Sequence, residues 1–189
     1  MKVLRADRYA TVPWRNGGGT TREIASFRDL ELHHDFLWRL SIANVDRSGP
    51  FSRFDGVDRT LAMLSGGGML LRSPAKDTPV KAGTLPYAFD GETEIACELL
   101  AGPTIDLNVM TRRGYCTHSM RRERFAGWLP VKASADRTMV VSNSVVELSA
   151  LGRDRLAPLD AVADIAPGVT LEFFSDSVAE IFIIELTGR

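Results

Sequence analysis

Two stretches of this chain alternate apolar and polar residues with a strict period of two. In residues 38–43, Trp38, Leu40 and Ile42 fall on one side of an extended strand and Arg39, Ser41 and Ala43 on the other. In residues 105–110 the same alternation brings Asp106 and Asn108 to one face. The pattern predicts two strands that face each other across a barrel interior, with their polar residues pointing inward. The segment that follows the first strand is turn chemistry. Gly49-Pro50 and Asp55-Gly56 punctuate it, and Ser52, Asp58 and Arg59 are spaced around the aromatic anchors Phe51 and Phe54. A strand with an arginine on its non-aromatic face, then a tight polar loop and a second arginine, reads as one wall of a pocket.

The rest of the chain reads as strand after short strand. Residues 3–12 form an opening strand that ends at Pro13. Gly17, Gly18 and Gly19 forbid helix and open backbone geometry closed to other residues. Such a run can bring its amides close to a ligand or an anion. It lacks the Lys-Ser/Thr ending of a phosphate loop, and no helical pattern follows, so a nucleotide site is not expected. It reads as a bulge or sharp corner in a sheet that also touches a ligand, with Trp14 as a lid. Residues 27–36 read as an irregular polar loop. Its adjacent His33 and His34 point to opposite faces and make poor joint metal ligands. Residues 60–64 read as a strand, Gly66 to Gly68 as a hairpin turn and residues 69–72 as the return. Regular spacing and Gly-rich turns predict an all-β barrel or sandwich. The one helix-compatible piece is residues 149–162, interrupted by Pro158. A loose echo of Lys81-Ala82-Gly83 and its following strands in Ala166-Pro167-Gly168 and residues 169–186 suggests two similar β-barrel halves.

Composition narrows the classes. A chain of 189 residues holds one sizeable core or two small halves. A net charge of -1 offers no field for nucleic acid or an anionic membrane. The local cluster Arg121, Arg122 and Arg124 contains Glu123 and reads as a solvated surface. No apolar run has the length of a signal peptide core or a membrane span. Cys97 and Cys116 match neither metal spacing nor a disulfide framework, so a reduced, cytoplasmic protein is expected.

Several blocks together resemble the HutD/Ves family. They are Trp14-Arg15-Asn16-Gly17-Gly18-Gly19-Thr20, Trp38-Arg39-Leu40-Ser41, Gly49-Pro50-Phe51-Ser52, Phe54-Asp55-Gly56 with Asp58-Arg59, and Asp106-Leu107-Asn108-Val109-Met110. They stand in the family's order and at similar separations, strongly over the first 115 residues and weakly beyond. The resemblance implies a cupin-type (RmlC-like) β-barrel with two cupin-like halves in one chain, a bicupin. The expected halves are residues 1–115, carrying the ligand site, and residues 116–189, packed with the first as one unit. It further implies a role in bacterial histidine utilisation, through binding of urocanate or a formylated or formiminated glutamate to sense or limit pathway flux. No catalytic residue is implied. The ligand-binding residues carried over are Trp14, Asn16, Arg39, Ser52, Arg59, Asp106 and Asn108, with Phe51 added as a stacking surface.

The residues themselves agree with such a site. A metal-bearing cupin needs two or three inward histidines and a carboxylate. With three histidines in the chain and no His-X-His pair, neither metal nor other cofactor is expected. Arg39 or Arg59 offers a bidentate fork to a carboxylate. Asp106 either steadies an arginine or accepts a hydrogen bond from a ligand N–H. Asn16 and Asn108 donate and accept, and Trp14 or Phe51 stacks on a flat ring. The plainer readings are a structural ion pair of Arg59 with Asp58 or Asp106, core packing for Trp38, and a turn cap at Ser52. Three function classes stay open: a metabolite-binding sensor, a metal-free enzyme with Asp106 as general base, and an oligomeric interaction module. Apolar strands in the second half leave a homodimer open.

Overall fold

The computed structural model describes residues 1–149 and 154–188. Seventeen strands account for most of them. They are β1 (Lys2–Leu4), β2 (Thr11–Pro13), β3 (Gly19–Phe27), β4 (Trp38–Val45), β5 (Gly49–Pro50), β6 (Val57–Gly66), β7 (Met69–Arg72), β8 (Thr78–Val80) and β9 (Tyr87–Asp90). There follow β10 (Ala96–Leu99), β11 (Thr104–Arg112), β12 (Cys116–Lys132), β13 (Arg137–Ser142), β14 (Val146–Leu148), β15 (Asp154–Leu156), β16 (Ala161–Ile165) and β17 (Thr170–Gly188). Two single 3-10 turns, Ala6–Arg8 and Leu30–Leu32, lie between the strands. No helix among them is long and apolar enough to cross a membrane.

The chain divides into two compact units, residues 10–117 and residues 1–9 with 118–189. In the first, an antiparallel six-stranded sheet runs β2-β3-β4-β11-β6-β9, and a four-stranded sheet runs β5-β10-β7-β8. Val45, Leu61 and Met63 of the larger sheet pack with Met69, Leu71, Val80 and Cys97 of the smaller, all buried. This contact closes one part of the space between the sheets with an apolar core. In the second unit a seven-stranded sheet runs β1-β16-β13-β17-β14-β15, with β12 paired to β17. Its core is built from Val140, Leu148, Leu156, Val162, Phe173, Ile181 and Ile183. The N-terminal strand belongs here: Val3 pairs with Val162, and Arg5 reaches the buried Asp160 at 2.9 Å. The basic cluster of β12 is ion-paired, Arg121 to Glu185 at 2.9 Å and Arg122 to Glu180 at 3.5 Å.

Four expectations are corrected. Strands β4 and β11 do not face each other across an interior. They are hydrogen-bonded neighbours, with Ser41 opposite Asn108 and Ala43 opposite Asp106 on one wall. Period-two alternation reports which face a side chain takes, and carries no information about which strand lies beside it. Gly66 to Gly68 is not a hairpin, because β6 pairs with β11 and β9 whereas β7 pairs with β10 and β8. The chain instead passes from one sheet to the other there. Gly66, at φ 96°, lies so near Pro103 that a side chain would meet its carbonyl. The opening strand is two strands, β1 and β2, parted by the turn Ala6–Arg8. Of residues 149–162, 150–153 lie outside the described residues, Ser149 is in a 3-10 conformation, and residues 154–162 hold β15 and the start of β16 in place of helix.

The triple glycine is the tight connection between β2 and β3, with Trp14 N donating to Gly19 O at 2.9 Å and Gly17 N to Trp14 O at 3.0 Å. Gly19 is buried, and a Cβ there would collide with the Asn44 carbonyl oxygen on β4. Gly19→Ala should therefore destabilise the fold by about 1–3 kcal/mol, read as a fall of several degrees in melting temperature. Gly49→Ala, where nothing lies within 4 Å, should shift it by less than about 0.5 kcal/mol.

Candidate functional site

Beside the apolar core, the first unit holds a cavity of about 590 Å³. Three strands build its floor. From β4 come Arg39, Ser41 and Ala43, from β11 Asp106, Asn108 and Met110, and from β6 Arg59. The register arranges these in rows across the sheet. One row runs Ser26, Arg39, Met110, Arg59, Phe89. The next contains Ser41, Asn108 and Leu61, and the next Ala43, Asp106 and Met63. The opposite wall is Pro50 at the end of β5 and the segment after it, with Phe51, Ser52 and Phe54, and the rim includes Trp14 and Asn16.

The two arginines are held by aromatic faces. Arg59 is 6% exposed, and its guanidinium carbon lies 4.8 Å from the Phe89 ring centre, 5.4 Å from Phe54 and 5.6 Å from Phe51. Arg39 lies 5.0 Å from Phe36 and 5.5 Å from Phe54, so Phe54 serves both. Their direct polar contacts are few. Arg59 Nη1 donates to the backbone carbonyl of Ser52 at 3.2 Å, and Arg39 Nη2 approaches Met110 Sδ at 3.4 Å. The Nε of each arginine is buried without a partner. No ion pair joins either to a carboxylate among the described residues. Asp58 is taken by Arg113 at 2.7 Å. Burial lowers the pKa of Arg39 and brings that of Arg59 down to about 10, with Asp106 opposing and Arg39 adding to the fall. Both remain cations at neutral pH.

Asp106 is 1% exposed, and its Oδ1 has no hydrogen-bond partner; Asn108 Oδ1 is likewise unpaired. Burial pushes the Asp106 carboxyl up to about 7 against the pull of Arg59. Burial, with Asp106 nearby, pushes the Cys97 thiol up to about 11. The wall that carries Phe51 and Phe54 is pinned from outside the cavity. Phe51 N donates to Ile95 O at 2.8 Å and Phe54 N to Gly91 O at 2.9 Å. Gly56 N donates to Glu92 Oε1 at 2.7 Å, Arg112 Nη1 to Asp55 O at 2.6 Å, and Arg113 bridges Asp58 and Glu92.

All eight residues singled out in the sequence line this one cavity. Arg59, Asp106 and Asn108 are buried, Arg39, Trp14 and Phe51 half-buried, and Asn16 and Ser52 exposed at the mouth. Two have partners of their own. Trp14 Nε1 donates to Thr21 Oγ1 at 2.7 Å, and Asn16 Oδ1 accepts from Gly18 N at 3.0 Å, tightening the glycine turn. Ser52 meets Arg59 through its main chain. Trp38 is buried on the other face of β4. Sequence reasoning missed Phe36, Phe89 and Met110 around the guanidiniums. Met110 carried a signal, since it continues the Asp106–Asn108 alternation by one step. A metal centre does not fit: Asp106 is the lone carboxylate on the cavity wall, and no group of three His, Cys, Asp or Glu among the described residues could hold an ion. His33 is exposed, and His34 lies edge-on to Tyr115 with ring centres 5.6 Å apart.

Residues 6–171 match the HutD family. An uncharacterized 21.2 kDa protein in the hutC 3' region of Pseudomonas putida is 36% identical over 156 residues, 82% of this chain and 80% of that protein. The structure of HutD from Pseudomonas fluorescens SBW25, in a formate condition, superposes with a TM-score of 0.83 at 31% identity, covering 100% of this chain and 98% of that one. A cupin 2 conserved barrel domain protein from Leptotrichia buccalis superposes at 0.62 with 9% identity over 98% and 96% of the two chains, a likeness of fold alone. The chain is thus all-β with a cupin-like fold.

The raised carboxyl makes stability depend on pH. The folded value of about 7 lies above the ordinary 3.8, so the native state keeps a proton that the unfolded chain releases. That stabilisation is complete below about pH 4 and is lost as the pH rises to about 7. Asp106→Asn removes this titration, with Arg59 and Cys97 the ionisable groups beside it. The variant should melt above the parent at pH 8, with the gain shrinking toward pH 5. An equal difference at both pH values would contradict a buried, proton-binding Asp106.

Proposed function

This chain belongs to the HutD family, which is linked to the histidine-utilisation region, and from that premise we propose that its first unit binds a small carboxylate from histidine breakdown. Urocanate and formyl- or formimino-glutamate are the compounds of that class. The observation that carries the reading is a pair of guanidiniums in one cavity that no carboxylate among the described residues ion-pairs, Asp106 acting on Arg59 only through its field. A buried cation without a direct ion pair is costly, and a ligand carboxylate supplies both the charge and the acceptor oxygens for the unused N–H groups. Trp14, Phe51 and Phe54 give flat faces on which a planar ligand lies.

In this reading the protein is cytoplasmic and has two cupin-like halves. It senses or limits pathway flux, and the ligand leaves unchanged. A second reading has one observation in its favour: a carboxyl near 7 is poised to take a proton at neutral pH, so Asp106 would serve as general base in a metal-free reaction. Recovery of intact ligand after prolonged incubation separates the two in favour of the sensor.

Urocanate at a hundred times its dissociation constant should stabilise the native protein by about 2.7 kcal/mol, a clear rise in melting temperature. Arg59→Ala should remove the rise while the variant still melts cooperatively. A rise that persists in that variant would move the carboxylate away from Arg59.

A further inference from the structure

Buried polar atoms left without partners describe the complement of their ligand, because each is costly until it is satisfied. In this cavity they are of two kinds, and they stand at different heights on the sheet. The unpaired donors are Nε of Arg39 and Nε of Arg59, from the two residues that flank Met110 in one cross-strand row. The unpaired acceptors are Oδ1 of Asn108 and Oδ1 of Asp106, from residues two and four positions back along β11, about 7 and 14 Å by the rise of a strand. Both acceptor residues are at least nine-tenths buried and line the cavity. No donor among the described residues reaches either oxygen. The Trp14 indole N–H on the rim is committed to Thr21.

We infer that the ligand is bipolar: a carboxylate at one end, and at the other a ring or amidine N–H that donates to Asn108 and Asp106. This rests on the carboxylate reading and narrows it. A compound with the same acid group and a hydrocarbon group at its far end leaves the Asp106 and Asn108 oxygens unpaired in a dry site, and the site rejects it. Arginine pole and acceptor pole then play separate parts. The first supplies attraction for any small acid, and the second selects among them.

Urocanate and cinnamate test this with little else changed, since both are planar 3-arylacrylates and only the first has a ring N–H. Titration calorimetry of the intact chain should find cinnamate weaker by about tenfold or more. Asp106→Leu should weaken urocanate and leave cinnamate almost unchanged, which narrows the ratio. Equal affinities for the two acids would overturn the acceptor pole while leaving the carboxylate reading in place. So would equal affinities for formylglutamate and for glutarate, which lacks its formamide N–H, if neither arylacrylate binds. If no carboxylate binds at all, the function proposed above falls and this inference falls with it.

Discussion

A guanidinium that is buried must be compensated, and the means of compensation decides what a site can do. Protein interiors usually supply a carboxylate, which neutralises the charge and occupies the fork. Here Phe36, Phe51, Phe54 and Phe89 take that place around Arg39 and Arg59. Aromatic faces steady a cation by about 0.5–2 kcal/mol each without accepting its hydrogen bonds. The charge is thereby tolerated and the donors are left unspent. A lysine would fill this role poorly, because its compact, strongly hydrated ammonium neither stacks nor offers two parallel N–H groups to one acid.

The remaining architecture keeps that arrangement in place. Adjacent strands β4, β11 and β6 put the two arginines in one row with Met110 between them, so their side chains rise from a single rigid sheet. The facing aromatic wall has little regular structure of its own and is fastened from behind by Glu92, Arg112 and Arg113. Glu92 binds the Arg113 guanidinium and, more weakly in effect, the Gly56 amide, and these contacts hold its carboxyl down at about 2. Phe54, which touches both arginines, therefore depends on an ion network at the surface. Gly19 completes the frame by letting β3 lie against β4 at a distance no side chain permits.

Much of this was legible in the sequence, and the reasons differ from residue to residue. Alternation identified Arg39, Asp106 and Asn108 as sharing a character distinct from Trp38, Leu40 and Ile42, because strand geometry forces successive side chains to opposite faces. Multi-residue blocks gathered Trp14, Asn16, Ser52 and Arg59 with them. Pairing was the missing information. Whether β4 and β11 lie side by side or opposed depends on contacts between distant segments, and neither strand encodes its neighbour. The same gap hid Phe89, which reaches Arg59 only because β9 pairs with β6, and it turned the crossing at Gly66 into an expected hairpin. The second unit was least legible. Its long strand β12 carries Arg121, Arg122 and Glu123 in partly buried positions, so its charges obscured its strand character.

The central claim is that guanidiniums without a direct ion pair, presented by one row of a sheet, are what this cavity offers a ligand. A crystal structure of the chain with urocanate bound tests it most directly. The account predicts density with the carboxylate oxygens about 2.7–2.9 Å from guanidinium nitrogens of Arg39 or Arg59. Density that places the acid elsewhere, with both arginines touching only their phenylalanines, would contradict it.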